Sequence, residues 1–189
     1  MQIRILGCSG GIGGDLRTTS LLVDDDILID AGTGVGDLTL VEMARIRHIF
    51  ITHSHLDHIA GIPLMVDSIF CQITQPIVIH ASAETVCALR QHIFNWTIWP
   101  DFTKLPTEQR GVLRYEIMAP YEERVLGGRH IRMIPVNHVV PGVGYCVEHN
   151  GRSAAFTGDT TTNDTFWAAL NECPELAVLI TECAFANQE

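Results

Sequence analysis

The sequence predicts a mixed α/β fold on three observations. Short apolar runs with period-two alternation fill the first quarter of the chain, strand and helix patterns alternate from about residue 38, and strands return near the C-terminus. At 189 residues the chain matches the usual length of one domain, roughly 100 to 200 residues, so a single domain over 1–189 is expected. Hydrophobic residues at 47% and charged residues at 18% form an ordinary globular balance, which argues against both disorder and a membrane span.

Residues 2–6 alternate and end on Gly7, which predicts a strand and not the long apolar stretch of a signal peptide; a cytoplasmic protein follows as the expectation. Residues 20–23 and 27–30 read as a hairpin turning on Asp24-Asp25-Asp26, and 48–52 as an apolar strand. The stretches 38–46 and 55–69 suit short helices, 76–80 a strand, and 82–94 a helix capped by Ser82. Between 95 and 124, Trp96, Trp99, Phe102, Tyr115 and Tyr121 lie among Pro100, Pro106 and Pro120. This reads as an irregular aromatic insertion, expected to cover the core or meet another subunit, with a substrate-stacking lid as the alternative. Residues 130–136, 143–148 and 153–157 read as strands, 163–171 as a helix and 176–181 as a buried strand.

The glycines from Gly7 to Gly14 invite a dinucleotide-binding reading, but that fingerprint must open a crossover helix, and residues 15–30 run into a hairpin instead. They are assigned to a flexible loop near the rim of an active site. The six cysteines contain no CxxC pair and lie mostly in apolar contexts, which predicts buried reduced thiols. A formal charge of −10, with no basic cluster, opposes DNA or long RNA as a partner, because grip on a polyanion rests on Lys and Arg. A small anionic substrate remains compatible, and a homodimer stays open.

Chemistry concentrates in Ile49-Phe50-Ile51-Thr52-His53-Ser54-His55-Leu56-Asp57-His58, which delivers three imidazoles and a carboxylate just beyond an apolar strand. Such nitrogens and oxygens suit zinc and related divalent ions. Alternate residues of an extended chain project to one side, so His53 and His55 can share one ion, while Asp57 and His58 face a neighbouring one.

His-x-His-x-Asp-His after a strand resembles the metal motif of the metallo-β-lactamase superfamily. Asp30-Ala31-Gly32 is similar to that family's turn before the motif, Asn137-His138 to its third metal histidine and Thr157-Gly158-Asp159-Thr160 to its bridging aspartate. The resemblance implies a four-layer αββα sandwich. It also implies two divalent ions, zinc first with manganese or iron as alternatives: one on His53, His55 and His138, the other on Asp57 and His58, with Asp159 bridging. Asp30 would orient the histidine loop. The family's final metal histidine has no match, since none follows His149. The C-terminal end of the fold is therefore expected to be missing, and the second ion would be completed from beyond Glu189, by water, by Glu182 or by another chain.

Two adjacent ions suit phosphodiester hydrolysis by a metal-bridging hydroxide, with Asp57 as the catalytic residue that orients it. A β-lactamase is disfavoured by resemblance, because that branch usually carries cysteine at the place of Asp159. His55-Leu56-Asp57-His58 followed by Ile59-Ala60-Gly61 resembles the signature of class II cyclic-nucleotide phosphodiesterases, with Pro63 a departure; Gly144 to Glu148 is shared in outline with these and with tRNA 3′-processing nucleases. A small cyclic nucleotide is the expected substrate. A tRNA 3′-end nuclease, a glyoxalase II-like thiolester hydrolase and a non-catalytic metal-binding relative are the alternatives.

Overall fold

Antiparallel pairing opens the chain and parallel pairing follows it. The computed structural model describes residues 1–183, which fall into two compact units, one spanning Met1–Ile117 and the other beginning at Met118. In the first unit, β1 (Ile3–Gly7) pairs with β2 (Ser20–Val23), which turns through Asp24 at φ 51° into β3 (Ile27–Ile29). From β3 the six-stranded sheet runs parallel through β4 (His48–Phe50), β5 (Ile77–Ala81) and β6 (Leu113–Ile117), in chain order.

Parallel neighbours need crossovers, and helices supply them. They are α1 (Leu40–Met43), α2 (Leu56–Ile59), α3 (Gly61–Ser68) and α4 (Ala83–Ala88). Thr39 and Glu42 form a reciprocal capping box on α1, and the Ser82 hydroxyl accepts the Thr85 amide at the start of α4. Strands β3 and β5 are buried throughout, as expected for central parallel strands, and Leu28, Ile49 and Ile79 pack with Ile62, Met65 and Val66 of α3 in the core.

The second unit is a five-stranded sheet in the order β11-β10-β9-β8-β7, comprising β7 (Glu123–Leu126), β8 (Arg129–Val136), β9 (Gly142–His149), β10 (Arg152–Phe156) and β11 (Leu176–Ile180). Two-residue turns at Gly127-Gly128 and Asn150-Gly151, all with positive φ, close its hairpins. α5 (Asp164–Leu170) carries the chain to β11, which joins β10 in parallel, and Phe166, Ala169 and Leu170 pack on Ile134, Cys146 and Ala155.

Several expectations need correction. The stretch 55–69 is two helices, because the Gly61 amide donates to Ala31 O at 2.8 Å and Pro63 has no amide to extend the first. The irregular stretch ends at Val112, since 113–117 and 123–126 are strands β6 and β7. Its aromatics serve mainly as core: Phe102 is buried against Phe70 and Phe94, with Trp99 packed on the same cluster, although Trp96 is exposed. Strand β11 is largely exposed and not buried, because it lies at the sheet edge with β10 as its strand neighbour. Of the six cysteines only Cys146 is buried; Cys173 is half-buried, and Cys8, Cys71, Cys87 and Cys183 are exposed. Among the described residues, no helix is long and apolar enough to cross a membrane.

Candidate metal centre

The His53–His58 segment leaves the end of β4 and enters α2, so its donors sit where an extended backbone becomes helical. The Ile51 amide donates to His80 O at 2.9 Å, carrying the pairing with β5 one residue past β4. His55 is the extended residue before α2, which places Asp57 and His58 in its single turn. These four residues are brought together. The His53 ring lies 4.6 Å from that of His55 and 4.2 Å from that of His58, centroid to centroid. Ligand nitrogens of His53 and His55, and of His53 and His58, lie within 4.8 Å of each other. Asp57 Oδ2 stands 3.5 Å from His58 Nε2.

Asp30 and Thr52 decide which nitrogens carry protons. Asp30 is fully buried, and its carboxylate accepts the Thr52 amide on Oδ1 at 2.8 Å, and the Thr52 hydroxyl and His58 Nδ1–H on Oδ2 at 2.8 and 2.7 Å. With its proton given to Asp30, the Thr52 hydroxyl accepts from His53 Nδ1–H at 3.1 Å. Both imidazoles thus hold their protons on Nδ1, and the buried Nε2 atoms of His53 and His58 bear the lone pairs. This is the donor state that a divalent cation requires of histidine, so the residues fit a metal site.

The backbone beneath is tightly fitted. A Cβ on Gly32 would meet Asp57 O at 2.1 Å and Thr18 Oγ1 at 2.3 Å, and one on Gly61 would meet Gly32 O at 2.3 Å. The Ala31 amide also donates to His58 O at 2.8 Å. The Asp30-Ala31-Gly32 turn is therefore the seat on which the motif rests, and the orienting role expected of Asp30 is visible in its contacts.

His138 and Asp159 belong to the second unit, on neighbouring loops. Asn137 O accepts the Thr161 amide at 2.7 Å, and the Asn137 side-chain amide donates to Thr162 O at 2.8 Å, lacing the loop after β8 to the loop after β10. Gly158 takes φ 61° at the turn into Asp159. Glu182 Oε2 accepts the Thr160 amide at 2.7 Å, which makes Glu182 a brace for the Asp159 loop.

A family model described as the beta-lactamase superfamily domain matches residues 25–189. The chain belongs to that superfamily. Among its relatives in the superfamily, a probable 3′,5′-cyclic-nucleotide phosphodiesterase of Yersinia pestis is 31% identical over a 229-residue alignment that takes in 98% of this chain and 65% of the relative. A ribonuclease Z of Haloarcula marismortui is 30% identical, over 82% of this chain and 50% of its own length. The chain thus spans between half and about two thirds of these curated relatives. The crystal structure of unliganded yeast PDE1 superposes with a TM-score of 0.77 at 20% identity, covering 96% of this chain and 74% of that one, which shows the shared metallo-β-lactamase fold.

Proposed function

We propose that the chain carries the catalytic core of a two-metal phosphodiesterase acting on a small cyclic nucleotide. The observation that carries the reading is the donor set itself: His53, His55, Asp57 and His58 converge, and Asp30 and Thr52 hold the protons away from the ligand nitrogens. In the proposal His53, His55 and His138 hold one ion, Asp57 and His58 the other, and Asp159 both. The support for His138 and Asp159 is their match to the family motif. Zinc is the first choice of metal, with manganese or iron as alternatives for the same donors.

When bound, such ions supply positive charge for a phosphoryl oxygen and lower the pKa of a water. The chain's own residues do the positioning. The Asp57 carboxylate accepts a hydrogen bond from the attacking water and so fixes its direction, while Asp30 and Thr52 keep the His58 and His53 rings from turning. Glu182 keeps the Asp159 loop in place.

A cyclic nucleotide is favoured over RNA on two grounds. Similarity to the phosphodiesterase runs over 98% of the chain, against 82% for the ribonuclease. Twelve basic residues against 22 acidic ones leave little to grip a long polyanion. The proposed setting is cytoplasmic, in keeping with cysteines that lack a disulfide framework.

The test is hydrolysis of bis(p-nitrophenyl) phosphate, cyclic AMP and a thiolester by the zinc- or manganese-loaded protein, beside His55→Ala. Phosphodiester turnover that disappears in a folded His55→Ala is the expected result. Turnover confined to the thiolester would move the chain to another substrate class, and metal binding without turnover of any of the three would make it a non-catalytic relative.

A further inference from the structure

The second unit holds a pair of sulfurs that the metal chemistry does not use. Cys146 lies in β9, opposite Ala155 of β10 and Arg132 of β8, and Cys173 follows the last turn of α5, its amide bonded to Leu170 O. Their Sγ atoms are 2.8 Å apart, less than about 1 Å from the bonded separation of about 2.05 Å. The contact sits among Ile134, Phe166, Ala169 and Leu170, and Cys146 is almost wholly buried while Cys173 is half-buried. Cys8, Cys71, Cys87 and Cys183 are exposed.

We propose that Cys146 and Cys173 are a peroxide-responsive dithiol which, when oxidised, closes to a disulfide that staples α5 to β9. Exposure assigns the order of events. A hydroperoxide reaches Cys173, whose thiolate attacks the near oxygen; the O–O bond breaks, the far oxygen leaves as water or alcohol, and Cys173 becomes a sulfenic acid. The Cys146 sulfur then attacks the Cys173 sulfur. The S–O bond breaks and the departing hydroxide takes the Cys146 thiol proton, leaving as water. In sum two thiols give up two electrons and two protons, and one peroxide is reduced to two waters, or to one water and one alcohol. Burial, aided by the neighbouring Cys173, pushes the Cys146 thiol up to about 12, so it stays protonated until its partner is activated, which suits it to the resolving role.

The staple spans a functional stretch. The chain between the two cysteines contains β10, the Asp159 loop and the whole of α5, so the disulfide would clamp that segment against unfolding under oxidative stress. Because the sulfurs already adjoin, closure needs little backbone movement.

The experiment exposes the purified full chain to a small excess of hydrogen peroxide, blocks remaining thiols with N-ethylmaleimide, maps peptides without reduction, and melts the same samples with and without dithiothreitol. The expected result is a linked Cys146–Cys173 peptide that dithiothreitol abolishes, with a melting temperature raised by about 5 to 15 °C. Cys173→Ser should show neither change, and a variant with serine at positions 8, 71, 87 and 183 should show both. The mapping of the parent protein stands even where a variant folds poorly. Cys146 and Cys173 both recovered as alkylated thiols, Cys173 recovered as sulfinic acid, or Cys173 linked to another cysteine would overturn the proposal; a linked peptide without a rise in melting temperature would overturn the staple.

Discussion

Asp30→Asn is the sharpest perturbation of the candidate centre, because it changes hydrogen-bond polarity with almost no change of shape. The carboxylate accepts at two oxygens: Oδ1 from the Thr52 amide, and Oδ2 from the Thr52 hydroxyl and His58 Nδ1–H. An amide has one acceptor oxygen and one donor group. If its oxygen stays on the Thr52 amide, its NH2 faces His58 Nδ1, the imidazole must accept there, and its proton moves to Nε2. If it flips, the NH2 faces the Thr52 N–H, and a buried donor against a donor costs about 1 to 3 kcal/mol. The first arrangement wins, and it removes the lone pair from a ligand nitrogen. Loss of such an outer partner lowers metal affinity by about 10 to 100-fold, or about 1.4 to 2.7 kcal/mol. Asparagine tolerates the φ of 57° at this position as aspartate does, so the backbone should hold. The assay is zinc competition against a chromophoric chelator, with thermal melts in EDTA alongside. A variant that melts like the parent in EDTA and binds zinc within about threefold of it would refute the proton assignment.

Gly32→Ala drives a Cβ into Asp57 O and Thr18 Oγ1, both closer than 2.5 Å; the expected loss is about 3 kcal/mol or more in urea unfolding, together with weaker zinc binding. Phe102→Ala should cost about 3 to 5 kcal/mol and leave KM nearly unchanged, whereas Trp96→Ala should stay within about 0.5 kcal/mol, because the first is buried and the second exposed. The Thr39 amide, then the Thr39 hydroxyl and Arg4, hold the Glu42 carboxyl down to about 2 from its ordinary 4.5. A depressed carboxylate stabilises the fold above its unfolded value and loses that contribution as pH falls from about 4.5 through about 2. Urea midpoints over that window should therefore fall less steeply in Glu42→Gln than in the parent.

The metal motif was legible because its donors are local: six consecutive positions hold His53, His55, Asp57 and His58, and the strand before them is plainly apolar. Thr52 was not, since a threonine ending a strand reads as β propensity alone; its role comes from the parallel pairing of Ile29 with Phe50, which sets Asp30 beside it. Gly32 and Gly61 gave no signal of the backbone approach they permit, because close contact between segments leaves no periodicity. Leu113 to Ile117 alternates as a strand should, yet the prolines and aromatics around it dominated the reading. Leu176 to Ile180 carries the apolar run of a central strand but stands at an edge, and edge position is set by topology, which composition does not encode.

Asp30 also bears on any attempt to improve this protein. Its left-handed backbone, φ 57°, costs a residue with a Cβ about 1 kcal/mol relative to glycine, and its carboxylate lies fully buried. Asp30→Gly would relieve that strain, but it would strip the acceptor from the Thr52 amide, the Thr52 hydroxyl and His58 Nδ1–H. Buried donors left without one cost about 1 to 3 kcal/mol each, so the exchange loses stability together with the anchor of His58. Directed evolution for heat resistance alone therefore keeps Asp30, because at this residue what the fold needs and what the metal donors need coincide.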